Sequence, residues 1–144
     1  MKNMSQHLIE LRKNYQFTQK QVAETLKMKE NAYRHYEKGR SIPNIGCLIQ
    51  LAELYHTSIE YIVRGNKLDN IYISHKITSF PKRLKEIRKR NHMTQLQLAK
   101  FLGLEEVSYQ YYEYGTHEPK LENLIKLADL FQVTLDELLG RNET

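Results

Sequence analysis

Residues 7–66 and 83–142 of this 144-residue chain align with each other without a gap, at a constant offset of 76 positions. Of the 60 aligned pairs, 21 are identical, and many others exchange similar residues. The segment LIELRKNYQFTQKQVAETL, which starts at Leu8, aligns with LKEIRKRNHMTQLQLAKFL, which starts at Leu84. A match of this length means that the chain contains two copies of one structural unit. Each copy is near the lower limit of size for a domain with its own core.

The repeat also predicts the domain boundaries. We expect an N-terminal unit over residues 1–66, a linker over 67–81 and a C-terminal unit over 82–144. The connecting sequence NKLDNIYISHKITSFPK matches neither unit. Its alternation of Ile71, Ile73, His75 and Ile77 is compatible with a short strand, and equally with a loosely ordered connector.

Within each unit the apolar residues have helical spacing. Leu8 and Leu11 indicate a first helix, and Thr18 followed by Gln21 is the pattern of a capping box that starts a second helix. The C-terminal unit repeats this with Thr94 and Gln97. Further helix boundaries are marked at matching positions by Gly39 and Gly115, Pro43 and Pro119, and Ser58 and Thr134. The sequence therefore predicts an all-α fold of two tandem five-helix units joined by a linker.

Composition excludes several classes of protein. No run of about 18 apolar residues is present, so we expect no membrane span. The N-terminus has no apolar signal-peptide core, and a single cysteine, Cys47, cannot form an internal disulfide. We therefore expect a cytoplasmic protein. The net charge of +5 and isoelectric point of about 9.2 are compatible with a polyanionic partner, although this signal is weak by itself.

The sequence predicts no enzyme, no metal site and no cofactor. Its six histidines are scattered, and no Ser/His/Asp, Cys/His or paired-carboxylate grouping occurs. One cysteine is too few for a zinc site built on thiolates, and the glycines form no phosphate-binding motif.

The second and third helices of each unit have the layout of a helix-turn-helix: two short helices joined by a turn of about four residues. In this motif the third helix enters the major groove of DNA, and the N-terminus of the second points its N–H groups at a phosphate. Gln19 and Gln95 stand at that N-terminus and can donate a further hydrogen bond to the DNA backbone.

On these residues the chain resembles the lambda-repressor-like helix-turn-helix family, also called the Cro/repressor or xenobiotic-response-element family. In the N-terminal unit the resemblance rests on Arg12, Thr18, Gln19, Val22, Ala23, Leu26, Tyr36, Glu37, Gly39, Pro43 and residues 48–52. In the C-terminal unit it rests on Arg88, Thr94, Gln95, Leu98, Ala99, Leu102, Gly103, Tyr112, Glu113, Gly115, Pro119 and residues 134–140. It covers nearly everything except the linker.

The resemblance implies a sequence-specific transcriptional regulator of double-stranded DNA that acts as a repressor. It also implies two structural ion pairs, Arg12 with Glu37 and Arg88 with Glu113. The chain departs from the family pattern at three positions. Lys29 and Glu105 replace a hydroxyl cap, and Lys27 replaces the glycine of the turn.

The two units differ at the positions that would face DNA. Residues 27–40 contain five Lys or Arg and two acids, whereas residues 103–116 contain three acids and no Lys or Arg. We expect the N-terminal unit to be the principal DNA reader, because phosphate affinity comes from neutralising backbone charge. The candidate DNA-binding residues are Thr18, Gln19, Lys29, Glu30, Asn31, Arg34, His35, Lys38 and Arg40, together with Gln95 and Gln110.

Several alternatives stay open at this point. Both units can read DNA as an intramolecular pseudo-dimer, or two chains can form a homodimer. The C-terminal unit can instead bind a protein partner through Tyr111 and Tyr114, since tyrosine is enriched at interfaces. The whole chain can also be an antitoxin-like interaction module in which DNA binding is secondary.

Overall fold

The structure, a computed structural model, describes residues 3–67 and 79–141. The chain divides into two compact units, with the division between residues 73 and 74. Helices are the only regular secondary structure in the described ranges, which confirms the all-α prediction. Residues 68–78 lie outside the described ranges, and with them the alternating segment of the linker.

Each unit contains five helices. In the N-terminal unit they are α1 (Met4–Asn14), α2 (Gln19–Thr25), α3 (Glu30–Glu37), α4 (Ile45–Leu54) and α5 (Ile59–Arg64). In the C-terminal unit they are α6 (Phe80–Arg90), α7 (Gln95–Leu102), α8 (Glu106–Tyr114), α9 (Leu121–Phe131) and α10 (Leu135–Leu138). The range 67–81 given above as linker overlaps α6, because Phe80 and Pro81 are the first two residues of that helix.

Helix starts follow the local signals in the sequence. The hydroxyl of Thr18 accepts from the Gln21 N–H at 3.1 Å, and the Gln21 side chain accepts from the Thr18 N–H at 2.9 Å. Thr94 and Gln97 form the same capping box, which confirms both predicted starts. Neither Lys29 nor Glu105 forms a side-chain cap, so α3 and α8 begin without one.

The cores of the two units use equivalent positions. The buried apolar pairs at the offset of 76 are Leu8/Leu84, Leu11/Ile87, Val22/Leu98, Ala23/Ala99, Leu26/Leu102, Tyr33/Tyr109, Leu48/Leu124, Leu51/Leu127, Ala52/Ala128, Tyr55/Phe131, Ile59/Leu135 and Ile62/Leu138. The small Ala23 and Ala99 let α2 and α7 lie close to their neighbours. Because these pairs differ little in volume, both sequences fill one packing arrangement.

A bidentate ion pair ties the first helix of each unit to the end of its third. Arg12 donates from Nε to Glu37 Oε2 at 2.7 Å and from Nη2 to Glu37 Oε1 at 3.1 Å. Arg88 and Glu113 repeat both distances. The remaining guanidinium nitrogen, Nη1, donates to the carbonyl of Phe17 in the first unit and of Met93 in the second. Each arginine therefore also fixes the loop that leads into the second helix.

The ion pairs hold both partners charged. Burial alone would raise the pKa of Glu37, but hydrogen bonds led by that from Arg12 outweigh it, and the pKa lies below its ordinary value. Glu113 has its pKa lowered in the same way, with Arg88 as the leading donor. The hydrogen bond with the carboxylate raises the pKa of each arginine. Both glutamate side chains are almost completely buried, so each carboxylate depends on its arginine.

The turn between α2 and α3 has the same geometry as that between α7 and α8, although their sequences differ. Lys27 has φ +57°, and its counterpart Gly103 has φ +71°. Both lie in the left-handed region, where glycine is unstrained and other residues are not. After each, the next N–H donates to an alanine carbonyl, from Met28 to Ala23 and from Leu104 to Ala99. Packing of the two helices thus imposes the turn on an unfavourable lysine.

We expect Lys27→Gly to raise the free energy of unfolding of the N-terminal unit by about 1 kcal/mol, because it relieves left-handed backbone strain. The reverse change, Gly103→Lys, should destabilise the C-terminal unit by a similar amount. A Cβ at residue 103 meets no atom within 4 Å, so strain is its main cost. Urea denaturation of the full chain measures both. If Lys27→Gly lowered the free energy of unfolding, backbone strain at Lys27 would not be the dominant effect at this position.

We expect Arg88→Met to lower the free energy of unfolding of the C-terminal unit by roughly 3–5 kcal/mol, because it leaves the Glu113 carboxylate buried and unpaired. Lys100→Met, on the exposed side of α7 in the same unit, is the control and should change stability by less than about 0.5 kcal/mol. Denaturation midpoints of the two variants provide the comparison. Equal effects would mean that the ion pair contributes no more than an ordinary surface charge.

Candidate nucleic-acid interface

A glutamine connects each buried ion pair to the outer face of the third helix. The Gln19 amide donates from Nε2 to Glu37 Oε1 at 3.1 Å, and its Oε1 accepts from Arg34 Nε at 3.0 Å. Gln95 donates to Glu113 Oε1 at 3.2 Å and accepts from Gln110 Nε2 at 3.1 Å. Since an amide nitrogen carries two N–H groups, each glutamine retains one for an outside acceptor. These two residues, predicted as DNA contacts, therefore also position a side chain of the next helix.

Arg34 is fixed from two sides. Besides the bond to Gln19, its Nη2 donates to Glu30 Oε2 at 2.6 Å, one turn earlier on α3. A guanidinium carries five N–H groups, and the two bonds leave three for an outside acceptor. The interaction also gives Glu30 a role that the sequence analysis missed. The sequence does indicate this interaction, because Glu30 and Arg34 are four residues apart on one predicted helix.

The other candidates of the N-terminal unit lie around α3. Thr18 is exposed, and its hydroxyl oxygen is occupied by the capping box. The side chains of Lys29, Asn31, Lys38 and Arg40 are exposed, while that of His35 is partly exposed. This face is therefore rich in positive charge and in hydrogen-bond donors.

The equivalent face of the C-terminal unit has different chemistry. Glu105 and Glu106 are exposed at the start of α8. Val107, Tyr111 and Tyr114 follow at i, i+4 and i+7, with 46%, 38% and 69% of their surfaces exposed. The Tyr111 ring contacts that of His117, with centroids 4.7 Å apart. An acidic and aromatic surface replaces the basic one.

The exposed apolar residues of α7 were missed by the sequence analysis. Leu96 and Phe101 are exposed, at the positions of Lys20 and Thr25 in α2. Comparison of the two repeats at every exposed position of the second helix, rather than of the third alone, would have found them. The difference between the units thus extends over both helices of the motif.

The described residues contain no group of three or more His, Cys, Asp or Glu side chains arranged to hold a metal ion. Among the helices in the described ranges, none is long and apolar enough to cross a membrane.

Comparison with models of protein families gives a match to each unit. A family model described as a helix-turn-helix domain matches residues 6–68, and one described as helix-turn-helix matches residues 84–138. The cryptic phage CTXphi transcriptional repressor RstR of Vibrio cholerae is 44% identical over 59 residues, which are 41% of this chain and 53% of RstR. The transcriptional regulator AnsR of Bacillus subtilis is 46% identical over 61 residues, which are 42% of this chain and 53% of AnsR.

ImmR of Bacillus subtilis, also named a transcriptional regulator, is 37% identical over 65 residues, which are 45% of this chain and 51% of ImmR. The chain spans about half the length of the curated relatives it matches. The two family matches fall on separate units and together cover most of the sequence. The chain therefore contains the helix-turn-helix domain twice, and it is similar to transcriptional regulators of the Cro/CI type.

Proposed function

We propose that this chain is a sequence-specific regulator that binds double-stranded DNA and represses transcription, with the N-terminal unit as the principal reader. The observation that carries the proposal is the fixed guanidinium of Arg34, held by Gln19 and Glu30 on the basic outer face of α3. The name of RstR as a transcriptional repressor supports the repressor assignment. The alternative of an interaction module with secondary DNA binding is not favoured by the relatives.

The proposed division of work follows from the chemistry of each side chain. Arg34 keeps more N–H groups than the two that a bidentate contact with O6 and N7 of guanine requires. Asn31, exposed in the first turn of α3, can pair with adenine. Lys29, Lys38 and Arg40 supply positive charge for phosphates, which fix the protein on the duplex without reading sequence.

The C-terminal unit is the weaker reader in this proposal. Its Gln110 is held by Gln95 as Arg34 is held by Gln19, but the side chain is neutral and stands near Glu105 and Glu106 in sequence. Negative charge on this face opposes approach to phosphates. In the proposed role the protein has no catalytic activity and acts in the cytoplasm.

We expect DNA binding to weaken steeply with salt. Three phosphate contacts from Lys29, Lys38 and Arg40 predict a loss of affinity of roughly 40-fold between 50 and 200 mM salt. The duplex is first selected from a random pool with the full chain, and its affinity is then measured by fluorescence anisotropy across that range. Failure to bind any duplex at low salt would overturn the proposed function.

We expect Arg34→Ala to weaken binding to the selected duplex by about 10- to 100-fold and to relax specificity at one base pair, because a bidentate contact is lost. Gln110→Ala, the matched change in the C-terminal unit, should alter the affinity by less than about twofold. Both side chains lie outside the buried core, so the fold should persist, which a thermal melt checks. Equal losses would contradict the asymmetric model and favour a pseudo-dimer that reads two half-sites.

A further inference from the structure

The outer face of α8 has the composition of a protein interface. Val107, Tyr111 and Tyr114 form one stripe along the helix, and all three are exposed. Glu105 and Glu106 stand at the N-terminal end of this stripe. We call these five residues the acidic face. Single exposed apolar residues are ordinary, whereas an apolar stripe with tyrosines beside charges marks a contact surface.

A second exposed surface of the same unit has the opposite charge. Lys82, Lys85 and Lys89 recur at i, i+3 and i+7 on α6, and Arg90 is exposed beside them. We call these four residues the basic stripe. Glu86 lies next to the basic stripe, but its carboxylate is paired with the buried Arg83. The distance from Arg83 Nε to Glu86 Oε2 is 3.5 Å. Helix α6 packs directly against α8, so the basic stripe and the acidic face belong to neighbouring helices.

The two surfaces occur together in one unit, whereas the other unit keeps only one residue of the same charge in each, Lys13 and Glu30. At the positions of the basic stripe, the N-terminal unit has Gln6, Ile9, Lys13 and Asn14. At the positions of the acidic face, it has Lys29, Glu30, Asn31, His35 and Lys38. Because both units share one scaffold, neither surface is required by the fold. The fold therefore does not account for their joint presence in the C-terminal unit.

We propose that a second copy of this chain covers the acidic face, in a two-fold pair formed by the C-terminal units. The acidic face of each copy lies on the basic stripe of its partner, so every contact occurs twice, as two-fold symmetry requires. Glutamates oppose lysines across the interface, while Val107, Tyr111 and Tyr114 lose water-exposed apolar surface. The second copy is the favoured occupant because the same unit carries both complementary charges. DNA is disfavoured because its phosphates meet Glu105 and Glu106.

In the proposed pair, the acidic face binds a second copy of the chain instead of DNA bases. The pair also places two N-terminal units in one assembly. This consequence rests on the proposed function, since two readers matter only if the N-terminal unit binds DNA. Two readers would contact two half-sites and double the number of phosphate contacts. The pairing itself requires no DNA.

The first test measures the mass of the full chain by sedimentation equilibrium from 1 to 100 µM. We expect a dimer, and we expect Tyr111→Ser combined with Tyr114→Ser to raise its dissociation constant by about tenfold or more. Ile42→Ser is the control, because Ile42 is 60% exposed in the N-terminal unit and lies outside the proposed contact. A monomeric chain across this range overturns the proposal, as does an equal effect of the control.

The second test exchanges charge between two variants. One carries Glu105→Lys and Glu106→Lys, and the other carries Lys85→Glu and Lys89→Glu. Each variant alone should be monomeric, since like charges then face each other in a pair of identical chains. Mixed together they should form a one-to-one dimer, because both contacts are again between opposite charges. Circular dichroism of each variant checks the fold. A mixture that remains monomeric overturns the proposal.

DNA binding by the same preparations separates this proposal from the proposed function. A monomer that binds the selected duplex with the expected salt dependence overturns the pairing and leaves the DNA-binding role standing. A dimer that binds no duplex supports the pairing and overturns the DNA-binding role.

Discussion

The ion pair between Arg12 and Glu37, with its copy between Arg88 and Glu113, is the interaction on which the rest of each unit depends. It joins the first helix to the end of the third and fixes the loop before the second. Its carboxylate also accepts from Gln19 or Gln95, and through that amide it positions the side chain on the outer face of the third helix. One buried interaction therefore serves both stability and the placement of the candidate reading residue.

The duplication separates scaffold from surface. Equivalent buried positions keep residues of similar volume, and the chain of hydrogen bonds from arginine to glutamate to glutamine is present twice. This series of hydrogen bonds ends at Arg34 in the N-terminal unit and at Gln110 in the C-terminal unit. Because packing constrains only the buried residues, the exposed residues at equivalent positions can differ in charge and polarity without altering the fold. Two units of one architecture can thus present opposite charge.

Local signals made most of the fold predictable, and tertiary contacts account for the remainder. Capping boxes at Thr18 and Thr94 depend on neighbouring residues only, so the pattern identifies them. Lys27 shows the opposite case, since its left-handed conformation is unfavourable locally and is imposed by packing of α2 on α3. Helix α6 starts at Phe80, two residues before the predicted C-terminal unit, because the two repeats share no identical residue at their first turn. Phe80 does align with Met4, the first residue of α1, at the offset of 76.

At the candidate site, residue types were predictable but their mutual contacts were not. Charge counts over residues 27–40 and 103–116 separate the two faces from sequence alone. The bond from Arg34 to Gln19 depends on how α2 and α3 cross, which the sequence does not specify, whereas the bond to Glu30 lies within α3 at a spacing of four residues. The overall net charge of +5 conceals this arrangement, because a basic face and an acidic face partly cancel. Local charge on α3 and on α8, rather than the sum over the chain, is therefore the quantity on which the proposed difference in phosphate affinity between the two units rests.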